Sequence, residues 1–356
     1  MKNKNPEYFS QLDSLRAIAV LMVIISHWFS NEHFLNRYSA NGILGVTLFF
    51  VLSGFLITGI LLNSKHKIEE GSSINKAFKV FYMRRLIRIF PVYYLLLFIL
   101  LVLNVTSVRD GFWWHYFYSS NFYFWINDAF AGSLSHLWSL AVEEQFYLIW
   151  PAIILLVPRR FLTTVLLAGV LAGMLFRLVI ITDVSDMGRL LMPGSLDSFC
   201  IGGLLSYGRA QNAGWYKQYL HRQTLFLVLV FLLFVAIHLP AFRALPMGVY
   251  LSLYLFFISV IFGILINRVA YTVNVPLLKQ LLNNKQMLYI GKISYGVYLF
   301  HNFIPYFFGL EIPGMHASFS MYLIQGLRLL TLIGLASFSW FFVEKPILKL
   351  KEKFKF

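Results

Sequence analysis

Leu12-Asp13-Ser14-Leu15-Arg16-Ala17-Ile18-Ala19-Val20-Leu21-Met22-Val23-Ile24-Ile25-Ser26-His27-Trp28-Phe29 contains an apolar run, Leu15 to Phe29, that holds two ionisable side chains, Arg16 and His27. A charge buried in hydrocarbon costs about 2.5–3.5 kcal/mol, so an ionisable group inside such a run points to function. At about 100° per residue, their separation of eleven positions puts both on one helix face about 16 Å apart. Asp13, three residues before Arg16, falls near the same stripe.

The rest of the chain has the same character. Of its 356 residues, 59% are hydrophobic, 18% aromatic and only 13% charged, and the mean hydropathy is +0.70. No water-soluble globular domain carries that composition, so the chain reads as an integral membrane protein. Runs near the roughly 20 apolar residues that cross a bilayer recur along the whole length. They predict an all-α, polytopic fold, one membrane domain over residues 1–356, with about ten transmembrane helices near 15–31, 42–62, 86–104, 138–157, 161–182, 194–208, 224–239, 246–266, 288–308 and 321–343. No cleaved signal peptide is expected, because no small-residue cleavage pattern follows the first run. The single cysteine, Cys200, excludes an intramolecular disulfide and a cysteine-ligated cluster, and no metal is expected.

A net charge of +15 raises the question of nucleic acid, and its distribution answers it. Alternating the loops between the two faces puts twenty-two basic residues on one side, including Lys2, Lys4, Lys279 and Lys355, and only Arg37, Arg109, Arg189 and Arg243 on the other. The positive-inside rule then places both termini in the cytoplasm. The basic excess orients the protein and needs no nucleic-acid partner. The tail Lys345–Phe356 suits a cytoplasmic stop signal that also touches anionic membrane lipid.

With that orientation Asp13 and Arg16 sit near the inner end of the first helix and His27 toward the outer leaflet. An imidazole with a pKa near 6.5 can take a proton from a hydroxyl at neutral pH, or can simply hydrogen-bond across the bundle. Phe81-Tyr82-Met83-Arg84-Arg85-Leu86-Ile87-Arg88 falls at the expected inner start of the third helix. Arg85 and Arg88 lie three apart and Arg84 and Arg88 four apart, so two or three guanidiniums can converge on a phosphate, although topology and headgroup binding would use the same residues. The stretch from Ser135 and His136 through Trp138, Glu143 and Glu144 to Pro151 opens the fourth helix at its outer end. His136 and Glu143, seven apart, share a face, and a carboxylate there could orient His27; acidic groups also favour a helix start for electrostatic reasons alone. The ring-dense segment Phe112 to Trp125 before it fits an interfacial aromatic belt, and secondarily a platform for a sugar. His301, Arg177, Arg328 and Lys292 are isolated polar positions that either line a pocket or bond within the bundle.

Six of these stretches occur in series across nearly the whole chain: Leu12 to Val20 with His27; Gly45 to Ile57; Arg85 with Arg88; His136 to Pro151; Ile293 to His301; and Phe342-Val343-Glu344-Lys345-Pro346. Together they closely resemble the acyltransferase 3 family of bacterial membrane acyltransferases. The resemblance implies a multi-pass O-acyltransferase of the bacterial cytoplasmic (inner) membrane. Such an enzyme takes an acyl group, commonly acetyl, from cytoplasmic acyl-CoA (acetyl-CoA or another) and delivers it to a hydroxyl of a cell-envelope glycan or lipid-linked sugar. It maps the catalytic arginine and histidine onto Arg16 and His27, and the paired cofactor-binding arginines onto Arg85 and Arg88, with Arg84 beside them. Glu143 or Glu144 would orient His27, while Asp13, His136, Trp138 and His301 would contact substrate or support the groups that do. Many relatives carry an appended hydrolase-like domain, which this chain, ending at Phe356, is expected to lack. A sugar or lipid transporter, or flippase, is the alternative, with Arg16, His27 and the acidic pair binding cargo or relaying protons; no inverted repeat supports it. A homo-oligomer is compatible with either.

Overall fold

The computed structural model describes residues 9–30, 33–38, 42–183, 186–271, 280–308 and 317–354. Lys2, Lys4, Lys279 and Lys355 lie outside the described residues. In hydrocarbon every backbone N–H and C=O must be satisfied within the chain, which makes an apolar sequence helical. Among the described residues there is no strand. The main helices are α1 (Gln11–Trp28), α2 (Gly42–Glu69), α3 (Ile74–Val102), α4 (Leu137–Leu156), α5 (Arg159–Ile180), α6 (Leu196–Ala210), α7 (Gly214–Ala236), α8 (Met247–Tyr271), α9 (Lys285–Lys292), α10 (Ser294–Phe300) and α11 (Ala317–Ser339).

Eight helical segments among the described residues are long and apolar enough to cross a membrane, against the ten expected. The other two are shorter. Helix α6 has 15 residues, and the stretch expected near 288–308 is split at Ile293 into α9 and α10, of 8 and 7 residues. Helix α3 starts at Ile74, not near 86. Its first turns bury Ala77 and Phe81 and expose Lys76, Lys79 and Arg84, an amphipathic stripe that extends the helix past its apolar section.

Helix α2 is the hub, packed against α1, α4, α6 and α8. Its crossing with α6 is made by glycine: a methyl group on Gly54 would overlap the Phe199 carbonyl, and one on Gly202 would overlap that of Val51. The two backbones therefore touch directly. Helix α9 lies against the start of α1, and α10 is sandwiched between α1 and α11. Helix α7 packs on α8 and buries only Tyr216 and Val230, as befits a lipid-facing helix.

The bundle has two chemically distinct ends. At the basic end, Glu69 at the close of α2 pairs with Arg159 at the start of α5 (2.7 Å), and Arg209 at the close of α6 stands 5.6 Å over the Phe9 ring. The far end carries the close of α1, the starts of α2, α4 and α6, and three short helices, Thr106–Asp110, Phe112–Tyr116 and Ser120–Ile126. There Trp113 and Phe117 are 65% and 68% exposed, while His115 is buried, hydrogen-bonded to the Ser120 hydroxyl at 2.8 Å. Burial holds the His115 pKa down at about 4, so its imidazole is neutral packing material.

Lys65 finishes the neighbouring helix. Its buried ammonium donates to three carbonyls at the close of α4, those of Ile154 (3.0 Å), Leu155 (3.0 Å) and Val157 (2.7 Å), which no intrahelical donor reaches. Replacing Lys65 with Met keeps the stem and removes the donors. Thermal unfolding in detergent is expected to register a loss of about 2 kcal/mol, and an unchanged melting temperature would contradict the capping role.

Candidate active site

A cavity of about 990 Å³ begins among Arg159, Arg209 and Glu69 at the basic end and extends as far as Val46 and Tyr118, deep toward the far end. Its walls come from α1, α2, α3 and α4, with α9, α10 and Trp340 closing one side.

Its cationic part is built from α1, α3 and α9. Arg16, Arg85, Arg88 and Lys292 all line it. Arg16 is ion-paired with Asp13 one turn earlier. Neither Arg85 nor Arg88 makes a hydrogen bond or ion pair with another described residue; the Arg85 guanidinium lies over the rings of Tyr147 (5.5 Å) and Phe81 (5.9 Å). Lys292 stands 5.3 Å over the Trp340 ring. Two guanidiniums three residues apart, beside a lysine, have the geometry and charge to hold phosphate oxygens, with Glu143 and Glu144 in electrostatic reach of Arg85 and Glu344 of Arg88. Arg84 is exposed and outside the cavity.

Past the cations, Glu143 and Glu144 of α4 line the wall. Glu143 accepts a short hydrogen bond from the Ser53 hydroxyl and another from the Tyr147 hydroxyl at 2.5 Å. Its Oε1 is thus engaged by α2 and by its own helix, and it makes no hydrogen bond to His27. The cavity also reaches Ser139 and Tyr298, whose hydroxyls are 2.5 Å apart, and Tyr298 donates to the His136 carbonyl at 3.2 Å.

Behind that hydroxyl pair lies a cluster of three imidazoles from α1, α4 and α10. His301 and His136 are buried and edge-on, with ring centres 4.9 Å apart. His27 packs against His301 at 5.0 Å and is exposed at the far end. None of the three lines the cavity. The expectation that Glu143 or Glu144 orients His27 therefore meets a different arrangement, in which the group bonded to the His27 ring is His301, with Nε2 3.3 Å from Nδ1. His136, the residue before α4, does not reach Glu143 and donates from Nε2 to the Leu299 carbonyl at 3.1 Å. Trp138 is half-buried against Phe50, with ring centres 6.2 Å apart, and stays out of the cavity.

Of the isolated positions, only Lys292 reaches the cavity. Arg177 is sealed in a buried pair with Asp197, and Arg328 donates to the Phe308 carbonyl at 3.2 Å. Ser53, Tyr147, Ser139 and Tyr298 join the site without having been singled out from sequence. The spacing of Glu143 and Tyr147, one turn apart, was the available signal for one of them. Among the described residues no group of three His, Cys, Asp or Glu side chains is placed to hold a metal ion.

Residues 9–349 match the family described as an acyltransferase domain. The chain is 33% identical over 376 aligned positions to the putative peptidoglycan O-acetyltransferase YrhL of Bacillus subtilis, covering 97% of this chain and 56% of that protein. It is 29% identical to the peptidoglycan O-acetyltransferase OatA of Listeria monocytogenes, covering 96% of this chain and 56% of the relative. A third similarity, to the O-acetyltransferase OatA of Staphylococcus aureus, is 33% over 177 positions, 45% of this chain and 27% of that one. The chain thus spans a little over half the length of the first two relatives. No solved structure matches it.

Proposed function

Because this chain belongs to the acyltransferase-domain family, whose match runs through residues 9–349, we propose that it is a membrane O-acyltransferase that moves an acetyl group from acyl-CoA to a hydroxyl of a cell-wall glycan. The relatives named for peptidoglycan O-acetylation support that acceptor class. In this reading the protein lies in the bacterial cytoplasmic membrane. Its basic end faces the cytoplasm, by the positive-inside rule, and its far end faces the wall.

The observation that carries the reading is the opening of a long cavity onto Arg85 and Arg88, two cations that make no hydrogen bond or ion pair with another described residue. At about 990 Å³ it matches the upper range of small-molecule sites. Phosphates of the coenzyme dock on Arg85 and Arg88, assisted by Lys292 and Arg16, and the acyl arm extends toward Ser139 and Tyr298. The acceptor approaches from the far end. Its hydroxyl gives a proton to His27 and its oxygen forms the new ester bond at the thioester carbonyl. The carbon–sulfur bond breaks, and the imidazolium returns the proton to the departing thiolate. The Ser139 and Tyr298 hydroxyls, bonded to each other and to the His136 carbonyl, stand between the two approaches. Glu143 holds Ser53 and Tyr147, shaping the wall along which the acyl arm runs.

Purified protein in nanodiscs, given acetyl-labelled acetyl-CoA and soluble peptidoglycan fragments, is expected to yield labelled, base-labile ester on the glycan. A carrier would leave the label on the coenzyme. Replacing Arg85 and Arg88 singly with Ala is expected to raise KM for acetyl-CoA about 10- to 100-fold each, with a smaller change in kcat, because each loses one charge-assisted contact of about 1.5–3 kcal/mol. Unchanged KM in both variants would place the coenzyme elsewhere.

A further inference from the structure

We propose that His301 is the positioning residue for His27: it fixes the exposed imidazole as the Nδ1–H tautomer, leaving the Nε2 lone pair free at the far end. This rests on the reading of His27 as the base, and it assigns the group that orients that base.

The argument starts from carbonyls, which only accept. His301 Nδ1 lies 2.6 Å from the Tyr298 carbonyl, so that nitrogen carries the proton, and in the neutral ring Nε2 is bare. His27 Nδ1 lies 3.0 Å from the Val23 carbonyl one turn back, so it too carries a proton. The same Nδ1–H faces His301 Nε2 at 3.3 Å. One proton is shared between two acceptors, a carbonyl on its own helix and an imidazole on α10, and both hold it on Nδ1. His27 Nε2 makes no hydrogen bond to a described residue, and His27 is exposed.

His301 can do this because it cannot turn. It is fully buried. Its carbonyl accepts from the Trp28 indole at 3.0 Å, which clamps α10 to the residue after His27, and Gln325 of α11 donates to the Trp28 carbonyl at 2.8 Å. The ring is packed edge-on against His136. No carboxylate among the described residues hydrogen-bonds or ion-pairs with any of the three imidazoles. A neutral imidazole thus occupies the position that a carboxylate holds in a serine-protease-type triad. When His27 takes a second proton at Nε2, its Nδ1–H still points at an acceptor. The proton cannot travel past His301, since the next hydrogen points into a carbonyl.

The test uses the full chain in nanodiscs with 15N-labelled histidine, the His27 signals being those lost in His27→Ala. The unmodified protein is expected to show a protonated Nδ1 and a bare Nε2 at neutral pH. In His301→Phe that preference is expected to weaken measurably, the Val23 carbonyl alone remaining to hold it, with kcat about 100-fold lower and KM for acetyl-CoA within about twofold. His301→Gln, whose amide oxygen can accept from His27 Nδ1–H, is expected to keep the tautomer and to restore kcat to within about tenfold of the unmodified protein. A bare Nδ1 in the unmodified protein, a tautomer unmoved in His301→Phe, or a His301→Gln variant as slow as His301→Phe would each overturn the proposal. If the tautomer shifts as expected but no acceptor is acylated by any form, the enzymatic reading fails and the positioning role stands.

Discussion

Replacing His27 with Ala is expected to lower kcat by about 10³-fold or more while the protein accumulates in the membrane as before. Proton transfer by a positioned base contributes about 10²–10⁴-fold, and the two imidazoles clustered with His27 are not placed to substitute for it. His301 and His136 are buried and have ring nitrogens committed to backbone carbonyls. Stability is expected to change little, because the His27 ring is exposed and its partners survive its removal: His301 keeps its bond to Tyr298 and its clamp to Trp28. Label transfer and membrane abundance should be measured on the same preparation. Full transfer by His27→Ala would remove the imidazole from the chemistry and turn attention to Glu143 and Tyr147 inside the cavity.

The largest expected loss of stability lies elsewhere, at Arg177. Its guanidinium makes a bidentate contact with Asp197 (2.6 and 2.9 Å) and donates to the Gly194 carbonyl at 2.5 Å, joining α5 to the start of α6. Both side chains are almost wholly buried, at 1% and 0% exposure. Replacing Arg177 with Met strands the Asp197 carboxylate without a counter-charge, and breaking such a pair costs about 3–5 kcal/mol. The corresponding double variant, Arg177→Met with Asp197→Leu, is expected to recover most of that loss, since a matched apolar pair removes the desolvation cost together with the attraction. Thermal unfolding in detergent distinguishes the cases. Equal losses in the single and double variants would mean that the bonds to Gly194 and the packing of the arginine stem matter more than the charge.

The membrane class, the all-helical architecture and the approximate position of most helices were legible because apolar runs of bilayer length have few other readings. The arginines of α3 were legible as a group, but helical spacing alone leaves Arg84 as near to Arg88 as Arg85 is, and only the packing of α3 shows that Arg85 and Arg88 face the cavity while Arg84 does not. What the chain could not disclose by periodicity was rotation. His136 and Glu143 sit at the correct depth to meet His27, but the roll of α4 about its axis sends Glu143 toward Ser53 of α2. That roll is set by contacts with α2, far away in sequence. The pairing of His27 with His301, 274 positions apart, is of the same kind. The split at Ile293 was hidden because the apolar content of 288–308 reads equally well as one helix or as two short ones.

The glycine crossing of α2 and α6 has a mechanical consequence for the neighbouring serine. Ser53 immediately precedes Gly54, and with backbone resting on backbone there is no deformable side chain to absorb displacement. A lateral push on α6, from bilayer thickening or from a neighbouring protein, would pass undamped to the hydroxyl held by Glu143. The opposite flank, where α9 and α10 are short and jointed, is the compliant one. Widening of the cavity to admit a bulkier occupant should therefore occur by yielding at that hinge, against a rigid anvil formed by the two touching helices.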